Sequence, residues 1–145
     1  MLVIFLAGVW LTWQIQHDSR NKIFLNGIVP NPKPEGFYNG NFQEKKVSWI
    51  GKKFNSTNST GINIFINKEG IKSESYPFVT FVGKGLSDKN LDVFKIDYNI
   101  SDNPFWLRFI LDEIVEVKPN EYLGKLQLRV IPGYPFAIAY FELKR

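Results

Sequence analysis

The stretch Val93–Ser101 places Phe94, Ile96, Tyr98 and Ile100 on one side of the chain and Lys95, Asp97 and Asn99 on the other. A strict period of two fits only a pleated strand with one buried and one wetted face, because successive Cβ atoms point to opposite sides. Gly61–Asn67 repeats the pattern, with Ile62, Ile64 and Ile66 alternating against Asn63, Phe65 and Asn67. Further runs rich in aromatic and β-branched residues are Phe37–Gln43, Val47–Phe54, Tyr76–Val82, Phe105–Val117, Tyr122–Ile131 and Phe136–Lys144.

Turn signals separate these runs. They are the polar stretch 55–61, then Lys68-Glu69-Gly70, Gly83-Lys84-Gly85, Lys118-Pro119-Asn120-Glu121 with a type I composition, and Pro132-Gly133-Tyr134-Pro135. Phe105–Val117 reads as the longest strand, since Asp112, Glu113 and Glu116 leave no apolar stripe of period 3.6. Successive strands, short connections and almost no helix predict an all-β antiparallel meander. A flat sheet of that width leaves open edges, so closure into a barrel of about 8–10 strands, or folding into a sandwich, is expected. The 145 residues hold one such domain and divide into an apolar segment (1–15), a polar and Pro-rich spacer (16–36) and the barrel (37–145). Within the spacer, Pro30, Pro32 and Pro34 alternate with other residues and favour an extended connector.

Composition removes several kinds of chemistry. The chain has no Cys, so disulfides, thiolate nucleophiles and cysteine metal sites are excluded. Its one histidine, His17, precedes the barrel, which excludes a Ser-His-Asp triad or a multi-histidine metal site inside it. Acid–base work would fall to carboxylates, Tyr or Lys. Net charge is +4 with a pI near 9.2, and the densest basic spots are only the pairs Lys45-Lys46 and Lys52-Lys53. No basic stripe marks a nucleic-acid partner.

Gly83-x-Gly85 opens no helix, and Ser87–Asp92 lacks the EF-hand ligand spacing, so neither a phosphate cradle nor a calcium loop is expected. Asp112 and Glu113 are adjacent on a strand and point apart, which denies them a shared proton. Neither a cofactor nor a metal is expected. Asn55, Asn58 and Asn99 head glycosylation-type triplets that matter only on a secretory route.

Residues 1–15 are apolar except for Thr12 and Gln14. As a helix of roughly 22 Å they fall short of a hydrocarbon core of roughly 30 Å. They lack the basic start and small-residue cleavage site of a signal peptide. Trp10 and Trp13 stand where an interfacial aromatic belt belongs. A membrane anchor is the preferred expectation, with packing against the domain as the alternative. Arg20 and Lys22 follow the segment, so the positive-inside rule would hold the domain in the cytoplasm. A basic stretch upstream would reverse that. The side of the membrane stays open, and the location is cytoplasmic if residues 1–15 pack on the domain.

From Pro34 to Arg145 the chain resembles the lipocalin-like (calycin) barrels, including small uncharacterised bacterial ones. The resemblance rests on Gly36-Phe37-Tyr38 with Gly40, on Trp49-Ile50-Gly51-Lys52, on Asp112-Glu113, on Tyr122-Leu123-Gly124-Lys125 and on Tyr140-Phe141-Glu142-Leu143. It implies carriage of a small apolar molecule. It also implies a late arginine packed across the first strand's aromatic residue, here Tyr38 where lipocalins carry Trp, with Arg129 or Arg145 as the partner.

The candidate ligand-lining set is Phe65, Phe81, Phe94, Tyr98, Trp106, Arg108 and Phe136, together with Phe109. Aromatic residues with a few polar anchors suit a small-molecule cavity, and they equally suit a filled core. On a continuous strand Arg108 shares a face with Trp106, Ile110, Asp112 and Ile114. Turned inward, Arg108 would pair with Asp112 or grip a ligand carboxylate; turned outward, the two form a surface pair.

Three functions fit. The leading one is non-catalytic binding of a small hydrophobic or amphipathic ligand near a membrane. The others are a filled-core module for protein interaction and a barrel enzyme, of isomerase or cyclase type, that needs neither His nor Cys.

Overall fold

The computed structural model describes residues 1–43 and 47–145; the Lys45-Lys46 pair lies outside them. Eight strands run in chain order: β1 (Gly36–Asn41), β2 (Trp49–Asn55), β3 (Thr60–Ile66), β4 (Lys72–Lys84), β5 (Asp92–Asp97), β6 (Ile110–Lys118), β7 (Glu121–Ile131) and β8 (Tyr134–Lys144). Each pairs antiparallel with the next, and β8 returns to β1 through Gly40 opposite Leu143, closing the barrel. Closure removes both sheet edges, which is the advantage of this architecture.

The alternation on β5 sets the inside. Phe94, Ile96 and Tyr98 point inward and join Tyr38, Phe54, Phe78, Ile114, Tyr122 and Leu143 in the interior cluster. On β3 the inward face is the Asn63/Phe65 face, so the isoleucines turn outward. The neighbouring strand β4 carries a bulge here: Ile62 lies opposite Pro77 and Asn63 opposite Ser75, which leaves Tyr76 as the extra residue, at φ 59°. A second bulge between Trp49 and Gly51 lets Trp49 and Lys52, three residues apart, share the interior. At the β6–β7 turn Asn120 takes φ 62°, which belongs to a type II turn and not the expected type I.

Phe105–Val117 is not one strand. Phe105–Phe109 form a 3-10 helix behind Pro104, and only from Ile110 does the strand begin. Pro104 starts the turn with its φ near −61°, and its carbonyl accepts from Leu107 N–H at 3.0 Å. Phe105 and Phe109, four apart, meet edge to face at 5.1 Å.

Two helices precede the barrel, α1 (Leu2–His17) and α2 (Ser19–Leu25), the second within residues expected to form a polar spacer. Asp18 separates them and caps α2 by accepting from Arg20 N–H at 2.9 Å. α1 lies along the outer wall at β8. Gly8 sits under the Phe136 ring, Thr12 Oγ1 accepts from Ala137 N–H at 3.1 Å, and Tyr140 O–H donates to the Ile15 carbonyl at 2.8 Å. With Phe24, Val115 and Leu123 these contacts make a second apolar cluster outside the barrel. Among the described residues no helix is long and apolar enough to cross a membrane.

Candidate functional site

The two halves of the barrel interior differ. Toward the β2–β3, β4–β5 and β6–β7 turns it is filled by the Tyr38, Phe54, Phe94 and Tyr122 side chains, with the Tyr122 and Tyr38 hydroxyls 3.2 Å apart. Toward the β1–β2, β3–β4, β5–β6 and β7–β8 connections it opens as a cavity of about 340 Å³. Phe42, Trp49, Phe65, Tyr76, Leu126 and Phe141 supply most of its wall. Gly40 lies directly beneath the Trp49 indole, so any side chain there would displace that wall.

Four polar side chains, three from strands and one from the residue that follows β5, form the floor between the halves. Lys52 on β2 has its Nζ 3.0 Å from Asp112 Oδ2 on β6 and 3.0 Å from Asn63 Oδ1 on β3, and it also donates to Tyr98 Oη just past β5. Asn63 Oδ1 accepts from Trp49 Nε1–H at 2.9 Å, and its Nδ2 donates to the Tyr76 carbonyl and to Tyr98 Oη, both at 3.0 Å. Tyr98 O–H donates to Asp112 Oδ2 at 3.2 Å. Thus the bulged, left-handed Tyr76 is held by the same amide that ties the floor together. A strained residue beside a cavity is a familiar mark of a functional site.

All three donor positions of the Lys52 ammonium are taken, and the rings of Trp49, Phe78, Tyr98 and Phe141 surround it at 5.1–5.5 Å. Burial pulls the Lys52 pKa below its usual value, against the opposing pull of Asp112. Burial first, and then the Asp112 charge, push the Tyr98 hydroxyl well above its usual value. Asp112 Oδ1 is buried without a hydrogen-bond partner.

Of the residues singled out from sequence, Phe65 and Tyr98 line this cavity. Phe94 lies in the filled half, edge-on to Phe54 at 6.3 Å. Trp106 sits at the rim, 59% exposed, against Tyr76 at 5.9 Å. Phe81 is on the outer surface of β4, and Phe136 is outside the barrel under α1. Phe109 packs on Phe105.

Arg108 does not share a face with Asp112, because the 3-10 turn breaks the alternation between them. Its Nε–H donates outside the barrel to Asn99 Oδ1 at 3.3 Å, while Asp112 faces inward to Lys52. Asp112 and Glu113 do point apart. Glu113 lies on the outer wall, where it accepts from Leu86 N–H at 2.9 Å and pairs with Lys95 at 3.4 Å. Of the two late arginines, Arg145 lies over the Tyr38 ring at 5.6 Å, and Arg129 pairs with Asp97 at 2.7 Å.

Trp49, Lys52 and Asn63 were missed by reasoning from sequence. Lys52 and Phe54 have the same parity on β2, a signal that the lysine faces inward. The bulges that bring in Trp49 and Tyr76 leave no comparable trace.

The crystal structure of a protein from Thermomonospora curvata superposes on this one with a TM-score of 0.58. It covers 88% of this chain and 87% of its own, at 15% sequence identity. At that identity the likeness shows the fold alone. No family model matches the chain, and no curated protein sequence is similar to it.

Proposed function

We propose that this barrel binds a small, largely apolar molecule in its open half, without chemistry, while resting on a lipid surface. The observation that carries the reading is the cavity: about 340 Å³ of aromatic wall over a compact polar floor. That is the usual make-up of a small-molecule site, apolar around with a few placed polar groups. An up-and-down eight-stranded barrel is also the lipocalin architecture, and Arg145 over Tyr38 matches the late arginine the resemblance implies. Lys52 is saturated by acceptors and Tyr98 is displaced away from ionising, which favours binding over acid–base turnover.

The membrane part rests on where exposed apolar side chains collect. The connections at the cavity end expose Val47, Ile71, Phe105, Trp106 and Tyr134. The start of α1 is at the same end, since Phe5 packs on Tyr134 at 6.2 Å, and Leu2, Val3, Ile4 and Leu6 there are exposed. The opposite turns, 56–59, 85–91 and 119–120, expose no large apolar side chain among the described residues, although Ile28 and Val117 beside the last of them are exposed. Exposed Lys68 and Lys72 flank the cavity end, and the net charge of +4 complements an anionic headgroup layer. A ligand leaving the bilayer would meet the mouth directly.

Two measurements test this. Titration with N-phenyl-1-naphthylamine, an uncharged apolar fluorophore, is expected to show one saturable site per chain. Flotation with phosphatidylcholine/phosphatidylglycerol vesicles is expected to carry the protein upward. No saturable probe binding would sink the cavity reading. Failure to float, or a stable dimer burying the apolar end, would sink the lipid-surface reading.

A further inference from the structure

We infer that the cavity takes an amphiphile with a single short apolar tail, inserted tail first, and leaves its polar head hydrated at the mouth beside Ser48. The inference rests on the reading of the cavity as a ligand site, and adds the ligand's class and its direction of entry. The deep end of the cavity carries the four buried polar side chains Lys52, Asn63, Tyr98 and Asp112. None of them has a hydrogen-bonding site open to a guest. Lys52 Nζ commits its three donors to Asp112, Asn63 and Tyr98. Asn63 Oδ1 accepts from Trp49 and Lys52, and its Nδ2 donates to the Tyr76 carbonyl and to Tyr98 Oη. Tyr98 O–H donates to Asp112 Oδ2. Asp112 Oδ1 has no partner, but with almost no open surface it is out of a guest's reach.

A polar group carried to that end would lose its water and find no replacement. That costs a hydroxyl roughly tenfold or more in affinity, and a charge far more. A methyl group loses nothing there. The walls above the floor are Trp49, Phe65, Leu107 and Phe141, and the surface they offer is almost entirely carbon. At about 340 Å³ the space lies at the small end of the ligand-site range, so the tail is short. Conditions at the other end are reversed. Val47 and Ser48 also line the cavity, and both are exposed to solvent. A head group there keeps its hydration and has the Ser48 hydroxyl beside it. The open half therefore has one polarity, apolar end in and polar end out.

The test uses probes that share an eight-carbon chain: 1-octanol, 1,8-octanediol, octanoate and octylamine. By calorimetry on the full chain at pH 7, 1-octanol is expected to bind at least about tenfold more tightly than the diol, whose second hydroxyl must enter with the tail. A ligand held head down would make the two equal, because the diol's far hydroxyl would stay in water. Ser48→Asp then reports which end lies at the mouth. Ser48 is exposed, so the change is expected to leave the fold intact. At low salt the variant is expected to strengthen octylamine and weaken octanoate, moving the ratio of their affinities about fivefold, and to leave 1-octanol unchanged.

Equal affinity for 1-octanol and the diol overturns the inference and leaves the cavity reading standing. So does an octylamine-to-octanoate ratio that Ser48→Asp does not move, or failure of both charged probes to bind where 1-octanol does. If none of the four binds, the cavity reading and the inference fall together.

Discussion

Lys52 Nζ and Asp112 Oδ2 meet at 3.0 Å inside the barrel, joining β2 to β6 across its interior with side chains 4% and 5% exposed. A pair so deep is held by mutual need more than by net gain. Two desolvated charges roughly offset their attraction, but either one left alone is strongly unfavourable.

Lys52→Met and Asp112→Leu are therefore each expected to lower stability by about 3–5 kcal/mol, because each strands the opposite charge. The double variant is expected to regain most of that loss or to exceed the parent. Urea unfolding of the four proteins in a double-mutant cycle reads the coupling directly. Two single variants as stable as the parent would show that the pair is not buried as described.

Glu113 gives a pH dependence of definite sign. Burial raises its carboxyl pKa above 4.5, outweighing the Leu86 N–H and Lys95 contacts that lower it. In the window from 4.5 up to its folded value the native state holds a proton that the unfolded chain has released, so this contribution to stability declines as pH rises. Glu113→Gln has nothing to titrate and can still accept from Leu86. The stability of the parent relative to this variant is expected to be greatest below pH 4.5 and to fall on raising the pH, as read from urea midpoints. A difference that grows with pH would contradict the burial of this carboxyl.

α1 docks through a gap that only glycine leaves. A Cβ on Gly8 would lie 2.6 Å from the Phe136 ring, closer than carbon atoms approach. Gly8→Leu is expected to detach the helix and spare the barrel, whose closure does not involve α1. Thermolysin should then cut within residues 2–17 much faster, with the barrel's thermal transition little changed. Protection equal to the parent's would mean that the helix is held elsewhere.

The two-residue alternation was enough to read the architecture, because a half-buried strand writes its inside and outside faces into the chain. Phe94, Ile96 and Tyr98 did face inward, and closure followed from the need to hide edges. The site was harder to read, since it depends on exceptions to that alternation. Trp49 and Tyr76 reach the cavity through bulges, and the turn behind Pro104 separates Arg108 from Asp112. The Ile62, Ile64 and Ile66 face looked like the core by hydrophobicity, yet the inside takes Asn63, whose amide satisfies four neighbours at once. Which of two plausible faces turns inward is settled by partners far along the chain, and a local pattern does not contain them.

The exposed rim separates lipid contact from folding. Phe105 and Trp106 are 75% and 59% exposed, so replacing both with Ser removes little buried surface and is expected to leave the unfolding midpoint nearly unchanged. The same variant is expected to reduce flotation with phosphatidylglycerol-containing vesicles severalfold, because these rings lie at the cavity end beside the start of α1. Unaltered flotation would assign the lipid contact to α1 alone.

Filling the cavity isolates ligand binding from everything else. Leu126 on β7 lines the open half opposite Asp112 in register, and it is only partly buried. Leu126→Trp puts an indole in the wall of the open half, where it takes up cavity volume. The variant is expected to fold with near-parent stability and to lose binding of N-phenyl-1-naphthylamine by at least about tenfold. Phe81→Ala, on the outer surface of β4, is the matched control and should bind as the parent does. If Leu126→Trp binds normally, the probe is elsewhere on the protein. If Phe81→Ala weakens binding as strongly, the outer wall, and not the interior, holds the ligand.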